Sequence, residues 1–131
     1  MQIKLYAKYK ESGIQWIGEI PEEWGIHRSK FILVPEIGKK VPKGKENYIE
    51  LGDIDKKTKK YYKTDKLTVT GAKSVPKSTI LISTVRPNLG GITITEEKIN
   101  VSSAFCCLKM SSKFDFYYFS CIVKVHFFWI I

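Results

Sequence analysis

Apolar and polar positions along this chain alternate over short runs. Segments 48–51 (YIEL), 67–70 (LTVT), 78–85 (STILISTV) and 92–95 (ITIT) are rich in β-branched and aromatic residues, the composition of half-buried strands. Turn formers separate them: Gly52 and Asp53, Gly71, Pro76, Pro87 and Asn88, Gly90 and Gly91. Segment 104–110 (AFCCLKM) predicts a further, buried strand. Helical signal is weaker. It predicts a short helix over 28–34, stopped before Pro35, and another over 114–125. There is no internal repeat and no linker-like stretch. The expected fold class is α+β: one mostly-β domain with a few short helices, organised as an entry segment 1–24 packed on the domain, a main body 25–119 and a hydrophobic tail 120–131.

The entry segment has its own character. Residues 9–24 read YKESGIQWIGEIPEEW, with Trp16 and Trp24 among glycines and a proline. The two tryptophans are expected to act as apolar anchors, and Gly18 and Pro21 to shape an extended lead-in.

Composition narrows the partners. The 131 residues suit one modest domain that buries roughly two-thirds of the surface of its unfolded chain. Lys plus Arg number 22 against 13 Asp plus Glu, a net charge of +9, while 44% of residues stay hydrophobic. That pairing describes a folded domain with a basic surface rather than a disordered basic tail. Nucleic acid is the first partner to consider, an anionic membrane surface the second. Cys106, Cys107 and Cys121 make an odd count with two adjacent members, which argues against a disulfide framework of the secreted kind and fits the cytoplasm. The opening MQIKLYAKYK lacks the apolar stretch of a secretory signal. The run FDFYYFSCIVKVHFFWII at 114–131 carries Asp115, Lys124 and His126 and reads as a buried element rather than a membrane span.

Two stretches carry candidate binding chemistry. Between predicted strands, Lys56, Lys57, Lys59, Lys60 and Lys63 stand with Tyr61 and Tyr62 in eight residues, offering ammonium groups for phosphates and aromatic faces for sugars or bases. The same segment also reads as a solvated hairpin tip with its tyrosines folded back. At 83–91, a strand runs into Pro87 and Asn88, which place Arg86 and Asn88 at a sheet rim. Arginine suits guanine and asparagine suits adenine; alternatively Asn88 bonds its own turn and Arg86 pairs with a local carboxylate.

Catalytic signatures are missing. The sequence contains no GxxxxGK[ST] loop, no GxGxxG, no HExxH and no GxSxG, and His27 and His126 lie far apart. Cys106 and Cys107 read as core packing. Glu36 with Asp55, Lys56 and Lys57 loosely imitates the carboxylates and lysine of a magnesium nuclease, a pattern that a lysine-rich chain also makes by chance, as at Glu96, Glu97 and Lys98.

Taken in order, the entry segment 9–24, YIELGDID at 48–55, VPKSTILIS at 75–83, RPNLG at 86–90 and VSSAF at 101–105 resemble the specificity subunit of type I restriction-modification systems. The resemblance runs from the entry segment to about Phe119. It implies a non-catalytic target-recognition domain that binds double-stranded DNA and directs separate methyltransferase and restriction subunits to a half-site. S-adenosylmethionine, ATP and Mg²⁺ would then belong to those partner subunits, with no cofactor on this chain. Family members continue into a long coiled-coil spacer helix. Here 120–131 turns aromatic and aliphatic instead, so a truncated first half is expected. The alternatives are a truncated fragment that is non-functional or only docks on a methyltransferase subunit, and the small magnesium nuclease.

Overall fold

The computed structural model describes residues 6–85 and 91–111. The chain forms two compact units, 1–31 and 32–131. The expected helix over 114–125, the tail 120–131, Cys121 and His126 lie outside the described residues.

The first unit is a small antiparallel ribbon. Strand β1 (Tyr9–Glu11) pairs with β2 (Glu19–Pro21), Lys10 opposite Ile20. Between them the chain makes one reversal over residues 12–18. Gly13 (φ +79°) and Gly18 (φ +71°) adopt the left-handed conformation that a Cβ disfavours, and Ser12 N–H donates to the Gly18 carbonyl at 2.9 Å. The tryptophans sit on this ribbon with much of their surface open: Trp16 is 52% exposed and Trp24 37%. Trp24 meets Tyr6 edge to face, ring centroids 6.0 Å apart.

A single helical turn, α1 (Ser29–Ile32), leads straight into β3 (Leu33–Pro35). The helix expected over 28–34 is thus cut short. Val34 and Leu33 lie opposite Lys109 and Met110 of a neighbouring strand, and that ladder outcompetes a helix whose β-branched members and following proline already weaken it.

Two four-stranded sheets build the second unit. The first has the order β3, β10 (Phe105–Met110), β7 (Ile80–Ser83), β8 (Ile92–Ile94), all antiparallel. In the second the order is β4 (Lys39–Lys40), β6 (Lys73–Val75), β9 (Ile99–Val101), β5 (Tyr48–Ile49). Its β5–β9 pair is parallel and the rest antiparallel. The mostly-β, α+β class expected from the pattern is the class observed.

Period-two alternation assigns each strand residue to a face. Leu81, Phe105 and Cys107 of the first sheet join Ile49, Val75, Ile99 and Val101 of the second in one buried cluster. On the opposite face of the first sheet, Ile80 and Ile92 head a second cluster with Leu33, Ile82, Ile94 and Leu108. Alternation also separates the two adjacent cysteines. Cys107 is buried, and burial pushes its thiol up from the usual range, while Cys106 is exposed rather than in the core as expected.

Two further expectations change. The strand foreseen over 48–51 pairs only as Tyr48–Ile49 and then tightens into a 3₁₀ turn, Leu51–Asp53, whose ends are tied reciprocally: Glu50 N–H donates to Asp53 Oδ2 at 2.8 Å and Asp53 N–H to the Glu50 carbonyl at 3.0 Å. Segment 67–70 joins no ladder. Thr68 there is buried and bonded across to 42–45 instead.

Candidate nucleic-acid interface

The lysine-rich segment 56–63 is a tight hairpin. Ile54 and Tyr61 form an antiparallel bridge, and the chain reverses with Asp55 N–H donating to the Lys60 carbonyl and Lys59 N–H to the Asp55 carbonyl, both at 2.8 Å. Asp55 caps the turn: its Oδ1 accepts the N–H groups of Lys57 (2.8 Å) and Thr58 (2.9 Å). These bonds to Thr58 and Lys57 hold the Asp55 carboxyl below the ordinary carboxylate range. The carboxylate that sequence offered as a metal ligand is therefore engaged in shaping the loop. Glu36 is likewise bonded locally, to Gly38 N–H at 3.3 Å. Among the described residues no group of three His, Cys, Asp or Glu side chains is placed to hold a metal ion.

The seven sequence-nominated residues of this hairpin separate into groups. Lys56, Lys57 and Lys60 are exposed, as is Tyr62, at 56%. Lys59 is 5% exposed. Its backbone is left-handed (φ +61°), its Nζ donates to the Lys56 carbonyl at 2.6 Å, and its own carbonyl accepts the Thr93 hydroxyl at 2.6 Å. Burial pulls the Lys59 ammonium below its usual pKa, against the opposing pull of Asp55. The geometry removes Lys59 from the exposed set. Tyr61 is half-buried against the inter-sheet core, its hydroxyl accepting Glu96 N–H at 3.0 Å, and burial raises its pKa. Lys63 is exposed but paired with Glu97 at 2.8 Å, which raises its pKa. Arg86 and Asn88 lie outside the described residues; of the turn that was to carry them, Ser83 Oγ accepts Val85 N–H at 3.1 Å on the strand side.

Behind the hairpin runs a polar brace. Lys66 Nζ reaches Asp53 Oδ1 at 3.0 Å and Glu50 at 3.5 Å, tying the segment that follows the hairpin to the 3₁₀ turn that precedes it. The bond to buried Asp53 is the main cause of the raised Lys66 pKa.

A second basic stretch escaped the sequence reading. Lys39, Lys40, Lys43 and Lys45 lie on the edge strand β4 and the loop after it, and all four are exposed. The loop is latched by Thr68, whose hydroxyl donates to the Pro42 carbonyl (2.6 Å) and accepts Lys45 N–H (2.8 Å). Backbone bonds from Gly44 N–H to the Thr68 carbonyl and from Thr68 N–H to the Lys45 carbonyl, both 2.8 Å, complete the closure. The signal was present as four lysines in seven residues, KKVPKGK at 39–45, a density close to that of the hairpin.

One antiparallel and one mixed β-sheet packed on one core, with exposed lysines gathered on a hairpin and on a sheet edge and the loop after it, define a small α+β domain with basic surface segments. No protein-family model matches the sequence, and no curated protein is significantly similar to it. Its fold is that of the HsdS specificity subunits of type I restriction-modification systems. The HsdS subunit from Thermoanaerobacter tengcongensis superposes with a TM-score of 0.59 at 16% identity, over 79% of this chain and 30% of that one. A chain from a study of complex assembly and conformational transition of the type I R-M system gives 0.52 at 17% identity, over 70% and 28% respectively. The present chain thus spans less than a third of the length of either.

Proposed function

We propose that this chain is a DNA target-recognition domain of a type I restriction-modification specificity subunit. It binds duplex DNA and carries no catalysis of its own, while methyltransferase and restriction subunits supply S-adenosylmethionine, ATP and Mg²⁺ chemistry. The fold shared with HsdS subunits over most of the chain is the observation that carries this reading. The exposed ammonium groups of Lys56, Lys57 and Lys60 and the open ring of Tyr62 support it, because they project from a hairpin braced at its base by Asp55 and Lys66.

Mechanistically, the hairpin lysines take phosphates and fix the register of the domain on the duplex, a contribution indifferent to sequence. Arg86 and Asn88 remain the candidates for base edges. Titrating a labelled duplex with the purified chain across a salt series is the direct test. Three phosphate contacts from the hairpin contribute a slope of about −2.7 in log K against log[salt]. Absence of duplex binding at low salt overturns the reading. If the same preparation is then retained by an immobilised methyltransferase subunit, the interaction-fragment alternative replaces it.

A further inference from the structure

The turn between β3 and β4 is fixed at both ends. Glu36 N–H donates to the Cys107 carbonyl at 2.9 Å, extending the β3–β10 ladder by one residue, and its carboxylate accepts Gly38 N–H. Gly38 is left-handed (φ +66°), and a Cβ there would stand 2.8 Å from the Ser74 carbonyl oxygen, so the backbone passes where only glycine fits. Between these two clamps Ile37 projects, 83% exposed, the most exposed large apolar side chain among the described residues. The lysine strip starts two residues later. Lys39 lies opposite Ser74 and Lys40 opposite Lys73, so the two side chains leave opposite faces of the edge strand. Lys43 and Lys45 follow in the loop closed by Thr68. Among the described residues none of the four lysines is in an ion pair.

We propose that this turn and strip form a second duplex contact, separate from the hairpin, in which Lys39, Lys40, Lys43 and Lys45 take phosphates and Ile37 enters a groove against the base edges. The proposal rests on the DNA-binding reading above. Its chemistry is that of a rigid apolar tip flanked by cations: the cations are drawn to the backbone on either side of a groove, and the tip finds the apolar part of that groove, such as a thymine methyl. Rigidity matters because a clamped turn has already lost the freedom that a flexible one would lose on binding.

The two parts respond differently to salt, which makes them separable. Phosphate contacts release counterions and set the slope; an apolar contact changes affinity without changing it. With seven exposed lysines engaged on the two segments, the full chain should show a slope of about −6. Replacing Lys39, Lys40, Lys43 and Lys45 together by Gln should bring it to about −3, and Ile37→Ser should weaken binding by roughly five- to tenfold at every salt concentration with the slope unchanged. Unaltered thermal melting of both variants confirms that each is folded. A wild-type slope in the quadruple variant overturns the proposal while leaving the DNA-binding reading intact. Wild-type affinity in Ile37→Ser overturns the groove contact. Failure of the wild-type chain itself to bind duplex removes both readings together.

Discussion

In the hairpin around 56–63, Lys59 is folded under its own turn and Lys63 is held by Glu97, whereas each lysine of the strip 39–45 is exposed and, among the described residues, has no ion-pair partner. Both segments are nearly equal in lysine density. The difference lies in how the backbone reverses. The hairpin turns sharply, so a central residue must take a left-handed conformation, and its carbonyl and ammonium are drawn into the fold by Thr93 and Lys56. The strip instead begins on a sheet edge, where alternation sends Lys39 and Lys40 outward on either face, and continues into a loop that Thr68 closes and whose left-handed position falls on Gly44 rather than on a lysine. Charge density along a chain therefore overstates available charge where a lysine itself occupies the left-handed position of a turn, and reports it faithfully where glycine does.

Substitution at Thr68 gives the largest expected effect on that contrast. Thr68→Val removes the donor to Pro42 and the acceptor for Lys45 from a buried site and should cost about 2 kcal/mol in urea unfolding. An unchanged midpoint would mean that the strip is not held by this latch. Next comes Lys59→Met. Replacing a buried charge by an apolar side chain of similar length should leave stability within about 1 kcal/mol of wild type. It should also leave the salt slope of duplex binding unchanged, whereas Lys60→Gln should reduce the slope by about 0.9. Equal effects from the two would erase the distinction between buried and exposed lysines.

Asp55 offers a smaller, pH-dependent handle. Its folded-state pKa is lowered, so its contribution is fully present above the usual value of 3.8 and is lost as pH falls through the lower folded value. Asp55→Ala should therefore unfold more readily than wild type near neutrality, with the two denaturation midpoints converging as the solution becomes strongly acidic. A gap that persists undiminished at the acid end would assign the effect to packing rather than to the capped turn. Smallest of all is Lys63→Gln. The exposed pair with Glu97 adds little, and because Glu97 already neutralises Lys63, neither the melting curve nor the salt slope should move measurably. A full one-contact drop in slope would show that Lys63 leaves Glu97 for a phosphate.

Legibility in the sequence followed the apolar runs. Strands β7, β8 and β10 were visible because Ile, Leu, Thr and Phe crowd there, and their burial needed no other information. Strand β4 was invisible for the converse reason: Lys39 and Lys40 have no apolar pattern, and their extended conformation comes from the ladder to Ser74 and Lys73 across the sheet. The same applies to β6 and, in part, to β9. The segment at 67–70 looked like a strand because threonine and valine alternate, yet Thr68 uses its hydroxyl to hold a loop some twenty-five residues upstream, a long-range bond that no local pattern carries. At the candidate site, the basic hairpin was found from composition. Burial of Lys59 was not, since it depends on Thr93, which is remote in sequence.

The parallel pairing of β5 with β9 sets a schedule for the nascent chain. Tyr48 and Ile49 are among the most deeply buried residues, but their partners Asn100 and Val101 are synthesised about fifty residues later, some 3 to 10 s at ordinary translation rates. Until then β5 has no neighbour in its sheet. Closure by Asn100, which also bonds the Glu46 and Asn47 carbonyls, is therefore a late event in which the ribosome, rather than local propensity, decides when the second sheet is completed.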